Sequence, residues 1–162
     1  MKLFQESKPD FEKAYINYAD MLYRIAVAYL KNSEDASDAV QDVFIKLMDK
    51  APTFKDENHE KAYLLRLTVN RCKDILRKKS IRLHSSIEEA YEVASHSDTD
   101  ISDMLTLLHS IDEKYRETLI LHYLEGLSAE ETAEALGISL SAVKMRLMRG
   151  REILRNAMEK EE

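Results

Sequence analysis

The 162-residue sequence predicts an all-α protein of two small helical domains joined by a flexible linker. Three observations carry that expectation. Only 3 glycines and 2 prolines interrupt the chain, and the long stretches between them favour helix over strand. Apolar residues recur at spacings of three and four over most of the length. That periodicity dissolves between 80 and 103, in "SIRLHSSIEEAYEVASHSDTDISD", which is rich in Ser, Asp and Glu. The expected organisation is a domain over 1–82, an acidic linker over 83–103 and a domain over 104–162, with room for a short helix around 86–93.

The first predicted helix spans 9–30, with Phe11, Tyr15, Tyr18, Leu22, Ile25 and Tyr29 forming one stripe. The second follows "KNSEDASDAV", with Ser33 as expected N-cap and Glu34 and Asp35 in the first turn, where the helix dipole favours negative charge. Val40, Phe44, Leu47 and Met48 make its inner stripe, and Ala51–Pro52 stops it. "TFKDENHE" reads as a polar loop, and a third helix is expected from near Glu60 to about 82. After the linker, "DMLTLLHSI", "DEKYRETLILHYLEG", "SAEETAEAL" and "SLSAVKMRLMRGREILRNAMEK" all read as helical. Ser128 and Glu131 fit a capping box, and Gly126 and Gly137 stand where helices should end.

Charge is unevenly spread. The chain is net −6, yet residues 51–79 hold 8 basic and 4 acidic groups, and residues 144–155 hold 5 and 1. Local charge decides what a surface attracts within a Debye length of about 8–10 Å. On the helix from 59 to 82, Leu64, Leu65, Thr68, Val69, Cys72, Ile75 and Leu76 share one arc, and Tyr63, Arg66, Asn70, Lys73 and Arg77 share the opposite one. Cations there can neutralise phosphates, the amide can read a base edge, and the aromatic ring can stack on an unpaired base. The simpler alternative is a solvated basic face, with Tyr63 covering the core edge. In the C-terminal helix, Leu140, Val143, Leu147, Leu154 and Met158 form the expected inner stripe. Ser141, Met145, Met148 and Arg149 face away, flanked by Lys144 and Arg146. A capped helix, a glycine turn and this second helix have the dimensions of a helix-turn-helix, whose cations donate to guanine or phosphate in a major groove.

Other chemistry finds little support. The single cysteine, Cys72, permits no internal disulfide and lies in the apolar arc. "MKLFQESKPDFEKAY" contains no long apolar run, and no stretch nears the ~18 apolar residues of a membrane span. The five histidines lack metal-ligand spacing, and there is no Gly-rich phosphate loop or nucleophile constellation. A non-enzymatic, cytoplasmic protein without metal, cofactor or small-molecule substrate is expected.

Three blocks in order resemble a known family. "EDASDAVQDVFIKL" resembles region 2.1–2.2 of the sigma-70 factors, "FKDENHEKAYLLRLTVNRCKDILRKK" resembles regions 2.3–2.4, and "YRETLILHYLEGLSAEETAEALGISLSAVKMRLMRGREILR" resembles region 4.2. The short linker resembles that of the extracytoplasmic function (ECF, group IV) members. The resemblance implies a transcription initiation factor, often stress-responsive, that binds core RNA polymerase through its β′ clamp helices and β flap. It implies promoter DNA as the second partner and an anti-sigma factor, often membrane-tethered, as a third. Carried over by position, Asp38, Gln41, Asp42, Phe44 and Lys46 would dock on polymerase, with a core role for Phe44 left open. Phe54, Lys55, Asp56, Glu57 and Asn58 would form a base-capturing loop at the −10 element, and Tyr63, Arg66, Asn70, Arg71 and Lys73 would line the melted strand. Ser141, Lys144, Met145, Arg146, Met148 and Arg149 would face the −35 groove. Tyr63 stands where the family usually has Trp, and Met145 where a small Ser is common. A self-sufficient helix-turn-helix regulator, a helical-bundle enzyme and a sigma-like protein retired to protein–protein interaction are the alternatives.

Overall fold

The computed structural model describes residues 10–83, 104 and 106–160. The chain divides into two compact units, Met1–Ala94 and Ser95–Glu162. The expected linker and its short helix at 86–93 fall outside the described residues, apart from Leu83, which ends a helix.

Among the described residues, unit 1 is a bundle of α1 (Phe11–Leu30), α2 (Ser33–Lys50) and α3 (Glu57–Leu83). Asp10 caps α1, its side chain accepting from the Lys13 N–H. The cap of α2 is Asn32 and not Ser33: the Asn32 side chain accepts from the Asp35 N–H at 3.0 Å, one residue earlier than expected. Lys31 and Ala51 close α1 and α2 in left-handed conformations, at φ 54° and 39°. Helix α3 begins at Glu57, three residues before the expected start, because Asp56 Oδ1 accepts from the His59 N–H at 2.8 Å and caps the first turn.

Leu22, Ile25 and Tyr29 of α1, Val43 and Leu47 of α2, and Leu64, Leu65 and Val69 of α3 are fully enclosed. Each such side chain contributes about 1.5–3 kcal/mol of burial. Tyr15 and Met48, expected inside, are 60% and 58% exposed. They sit at the margins of their stripes, where the packing of the helices covers them only in part.

In unit 2 the described residues include helical ones at 104 and 106–109. Helix α4 (Glu113–Leu119) then widens into a π-helical turn, Ile120–Leu124, and is followed by α5 (Ala129–Leu136) and α6 (Leu140–Glu159). The capping box is present in both directions: Ser128 Oγ accepts from the Glu131 N–H at 3.0 Å, and Glu131 Oε1 accepts from the Ser128 N–H at 3.1 Å. Gly126 and Gly137 hold φ of 71° and 68°, as their helix-ending positions require. Ser139 caps α6 by accepting from the Ala142 N–H. Met158, expected in the inner stripe, is 48% exposed.

Gly150 has a role that its sequence position concealed. A Cβ there would stand 3.1 Å from Leu119 Cδ1 and 3.4 Å from Tyr115 Cβ, so the missing side chain lets α6 approach α4 closely.

Candidate nucleic-acid interface

Unit 1 carries a polar face on α3. Arg66 and Asn70 are exposed, while Tyr63 and Lys73 are half-buried. Tyr63 leans on the Phe54 ring, with centroids 5.3 Å apart, which holds the phenol at the edge of the face. Phe54 itself is 3% exposed and is a core residue, contrary to its expected place in a base-capturing loop. Glu57 and Asn58 belong to the first turn of α3 and not to a loop, and Asp56 is engaged as the helix cap. Lys55 is exposed, and its backbone N–H donates to His59 Nδ1 at 3.1 Å.

The segment nonetheless borders a recess of about 260 Å³, lined by Asn17, Tyr18, Phe54, Asp56, Glu57 and Glu60 together with Asp10 and Lys13. Burial, reinforced by Glu57, holds the Glu60 carboxyl above its ordinary range, and burial likewise raises the Tyr18 phenol. The α1 contribution to this recess had no sequence signal, because Asn17 and Tyr18 lie some forty residues upstream and only the bundle brings them in.

Arg71 does not line the polar face freely. Its Nε donates to Asp42 Oδ2 and its Nη1 to Asp74 Oδ2, both at 2.8 Å. Asp42, expected as a polymerase-docking residue, is thereby shared with α3. Asp38, Gln41 and Lys46 are exposed, whereas Phe44 is only 9% exposed and stacks near Tyr15, with ring centroids 5.2 Å apart. Phe44 therefore acts mainly as core. Between α1 and α2 runs a groove of about 460 Å³ that includes Tyr15, Tyr23, Gln41, Phe44, Ile45 and Met48. Its exposed apolar side chains were missed because helical periodicity assigned Tyr15 and Met48 to the interior.

In unit 2 the α5–turn–α6 pair presents Ser141, Lys144, Met145, Met148 and Arg149 outward, all exposed. Val143, Leu147 and Gly150 lie on the inner side. Arg146 departs from the expected set: it is half-buried, with Nη1 3.5 Å from Oε1 of Glu117, a carboxylate only 3% exposed. On the wheel it flanks the inner stripe, and the nearby acid on α4 turns it inward. Arg151 donates to the Tyr123 hydroxyl at 2.9 Å.

Among the described residues no group of His, Cys, Asp and Glu could hold a metal ion, and no helix is long and apolar enough to cross a membrane. Burial pushes the Cys72 thiol up to about 12, so it is a packing residue with little thiolate.

Comparison with known proteins gives these faces a context. Residues 14–81 match "Sigma-70 region 2" and residues 101–154 match "Sigma-70, region 4". The chain is 31% identical over 166 residues to RNA polymerase sigma factor SigV of Bacillus subtilis, covering 100% of this chain and 99% of that one. It is 28% identical to ECF RNA polymerase sigma factor SigE of Mycolicibacterium smegmatis, over 96% of this chain and only 64% of that relative's length. The fold is shared with the sigma factor RpoE, solved in complex with the anti-sigma factor NepR from Bartonella quintana, at a TM-score of 0.76, 24% identity, and coverage of 93% and 97%. It is also shared with CnrH, solved in complex with the cytosolic domain of CnrY, at a TM-score of 0.73, 23% identity, and coverage of 94% and 89%.

Proposed function

The chain belongs to the sigma-70 family, in its ECF group, and on that premise we propose that it binds core RNA polymerase, directs it to specific promoters and promotes their melting. The observation that carries the reading is the pairing of two different DNA-compatible faces, one in each unit. The α3 face of Arg66, Asn70, Lys73 and Tyr63 suits a single strand. The outward face of α6 suits a duplex groove.

On unit 1, Arg66 and Lys73 neutralise phosphates of the nontemplate strand, and Asn70 offers an amide to a base edge. Tyr63 stacks on the first unpaired base, its ring braced by Phe54. A base swung out of the strand enters the recess beside Asp56, Glu57 and Glu60, whose oxygens accept from an exocyclic amino group. Melting is then driven by binding, since the open strand has partners that the duplex lacks.

On unit 2, Lys144 and Arg149 contact phosphates or guanine edges of the −35 element, while Met145 and Met148 offer apolar contact to a thymine methyl. Ser141 donates to phosphate at the start of α6. Polymerase docks on the α1–α2 groove through its exposed apolar side chains and Asp38, Gln41, Asp42 and Lys46, and the β flap engages unit 2. An anti-sigma factor competes for these surfaces and silences the protein. The remaining acidic surface keeps the free chain off random DNA by like-charge repulsion. The protein acts in the cytoplasm, as a non-enzymatic factor without a cofactor.

The test is to mix the protein with core RNA polymerase and fragmented genomic DNA and to sequence the transcripts. The expected result is a set of discrete start sites sharing two spaced upstream elements. Binding to polymerase without initiation would indicate a retired sigma-like protein, and tight binding to duplex sites without polymerase would indicate a self-sufficient regulator.

A further inference from the structure

A continuous chain of charges joins the polymerase-docking face of α2 to the strand-binding face of α3. Asp42 on α2 holds Arg71 on α3 at 2.8 Å. Arg71 holds Asp74 at 2.8 Å, and Asp74 holds Arg77 at 2.5 Å and Lys78 at 3.3 Å. Arg77 lies in the same arc as Arg66, Asn70 and Lys73. In this arrangement Arg71 spends its guanidinium on two carboxylates and Arg77 is held by one. Neither is then fully available to a phosphate, and Asp74 sets a negative charge beside the path of the strand.

Building on the function proposed above, we propose that Asp42, Arg71 and Asp74 form a masking relay: polymerase docking draws Asp42 away from Arg71 and thereby frees that side of its guanidinium for the melted DNA strand, while Asp74 keeps it in place. The two states are defined by one contact, Arg71 on Asp42 or Arg71 on phosphate. The contact is suited to switching. Both partners are partly solvated, with side chains 34% and 43% exposed, so a competing charge can replace either one. Pairs of this kind shift an equilibrium by no more than about fivefold, which a docking interface readily exceeds. Asp74 is a positioning residue. The guanidinium of Arg77, and then the Lys78 ammonium, hold its carboxyl below the ordinary range, so it stays charged and keeps its grip on both arginines.

Such a relay accounts for a requirement of the proposed function. A factor that melts promoters only on polymerase needs part of its single-strand charge quiet when free. Distance alone does not provide that, because α2 and α3 pack against each other within one unit.

The experiment uses the full chain, free and as holoenzyme, with a fluorescein-labelled oligonucleotide carrying the nontemplate −10 segment of a promoter recovered from the genomic transcription assay. Affinity is measured against salt. Arg71→Ala should change the free chain's affinity less than twofold, yet weaken the holoenzyme about two- to fivefold, the equivalent of one partly exposed ion pair. It should also lower the holoenzyme's log–log salt slope by about 0.7, the loss of one phosphate contact on a single strand. Asp42→Asn should tighten the free chain about two- to fivefold, and this gain should vanish in the Asp42→Asn/Arg71→Ala double variant. Asp49→Asn, which removes an exposed charge from the same helix, should give no such gain. A purely structural pair would lower the melting temperature in these variants without moving the salt slope. An Arg71→Ala cost that is equal in the free chain and the holoenzyme overturns the relay, as does an Asp42→Asn gain that survives loss of Arg71. Absence of transcription by the wild-type holoenzyme would instead overturn the sigma-factor reading, and it is scored separately.

Discussion

Replacing Arg146 with alanine should damage the fold of unit 2 more than it damages DNA contact, although the residue lies on the recognition helix between Met145 and Leu147. The magnitude follows from its partner. Glu117 is 3% exposed, and Arg146 Nη1 lies 3.5 Å from its Oε1, with the Arg146 side chain 25% exposed. Breaking a fully buried pair costs about 3–5 kcal/mol, because one charge stays behind unsolvated. A surface pair costs about 0.2–1 kcal/mol. The partial exposure of Arg146 and the length of the contact put Arg146→Ala between these, at about 1–2 kcal/mol. For a unit of this size, about 4–8 °C per kcal/mol gives a drop of about 5–15 °C in its unfolding midpoint. Thermal unfolding followed by circular dichroism reads this directly. Arg149→Ala is the contrast: it is exposed on α6 and should lie within about 0.5 kcal/mol of wild type while weakening promoter binding. Glu117→Gln combined with Arg146→Ala should recover part of the lost stability, since a neutral amide costs less to keep buried beside the truncated site than a carboxylate does. An unchanged midpoint for Arg146→Ala, with a loss of promoter binding as large as that of Arg149→Ala, would refute the reasoning and return Arg146 to the groove.

Further outcomes follow from the same geometry. Glu60→Gln should be more stable than wild type around neutral pH, because burial and Glu57 raise the native carboxyl above its ordinary value of 4.5. The folded unit therefore binds that proton more tightly than the unfolded chain, wild type loses stability as pH rises from the ordinary to the raised value, and urea unfolding should show the two proteins converging on acidification. Phe54→Ala should cost about 3–5 kcal/mol and should speed labelling of Cys72 by a thiol reagent, which in wild type requires opening of the bundle. Gly150→Val should destabilise unit 2 by about 1–3 kcal/mol through overpacking against Leu119 and Tyr115, read as a lower denaturation midpoint.

Where local rules suffice, the sequence was readable. The capping box at Ser128 and Glu131 is a contact three residues long, and the left-handed turns at Gly126 and Gly137 follow from glycine's freedom. The inner arc of α3, from Leu64 to Cys72, follows from helical period alone. The sequence pattern misled where two adjacent residues could serve equally or where a neighbouring element decides. Asn32 displaced Ser33 as a cap because both side chains can accept, and backbone geometry chose between them. Phe54 looked like part of a polar loop until α3 and His59 enclosed it.

The sequence by itself determined the helices, the two basic faces and the family, because periodicity, charge and ordered motifs are properties of the chain. Tertiary structure alone decided which charges are available. Arg71 and Arg146 were counted among the DNA contacts, yet one is held by Asp42 across 29 positions of sequence and the other by the same number from Glu117. A side chain's charge is written in its residue type. Its availability depends on which carboxylate the fold brings within reach, and a pairing between distant helices leaves no mark on the local pattern of either.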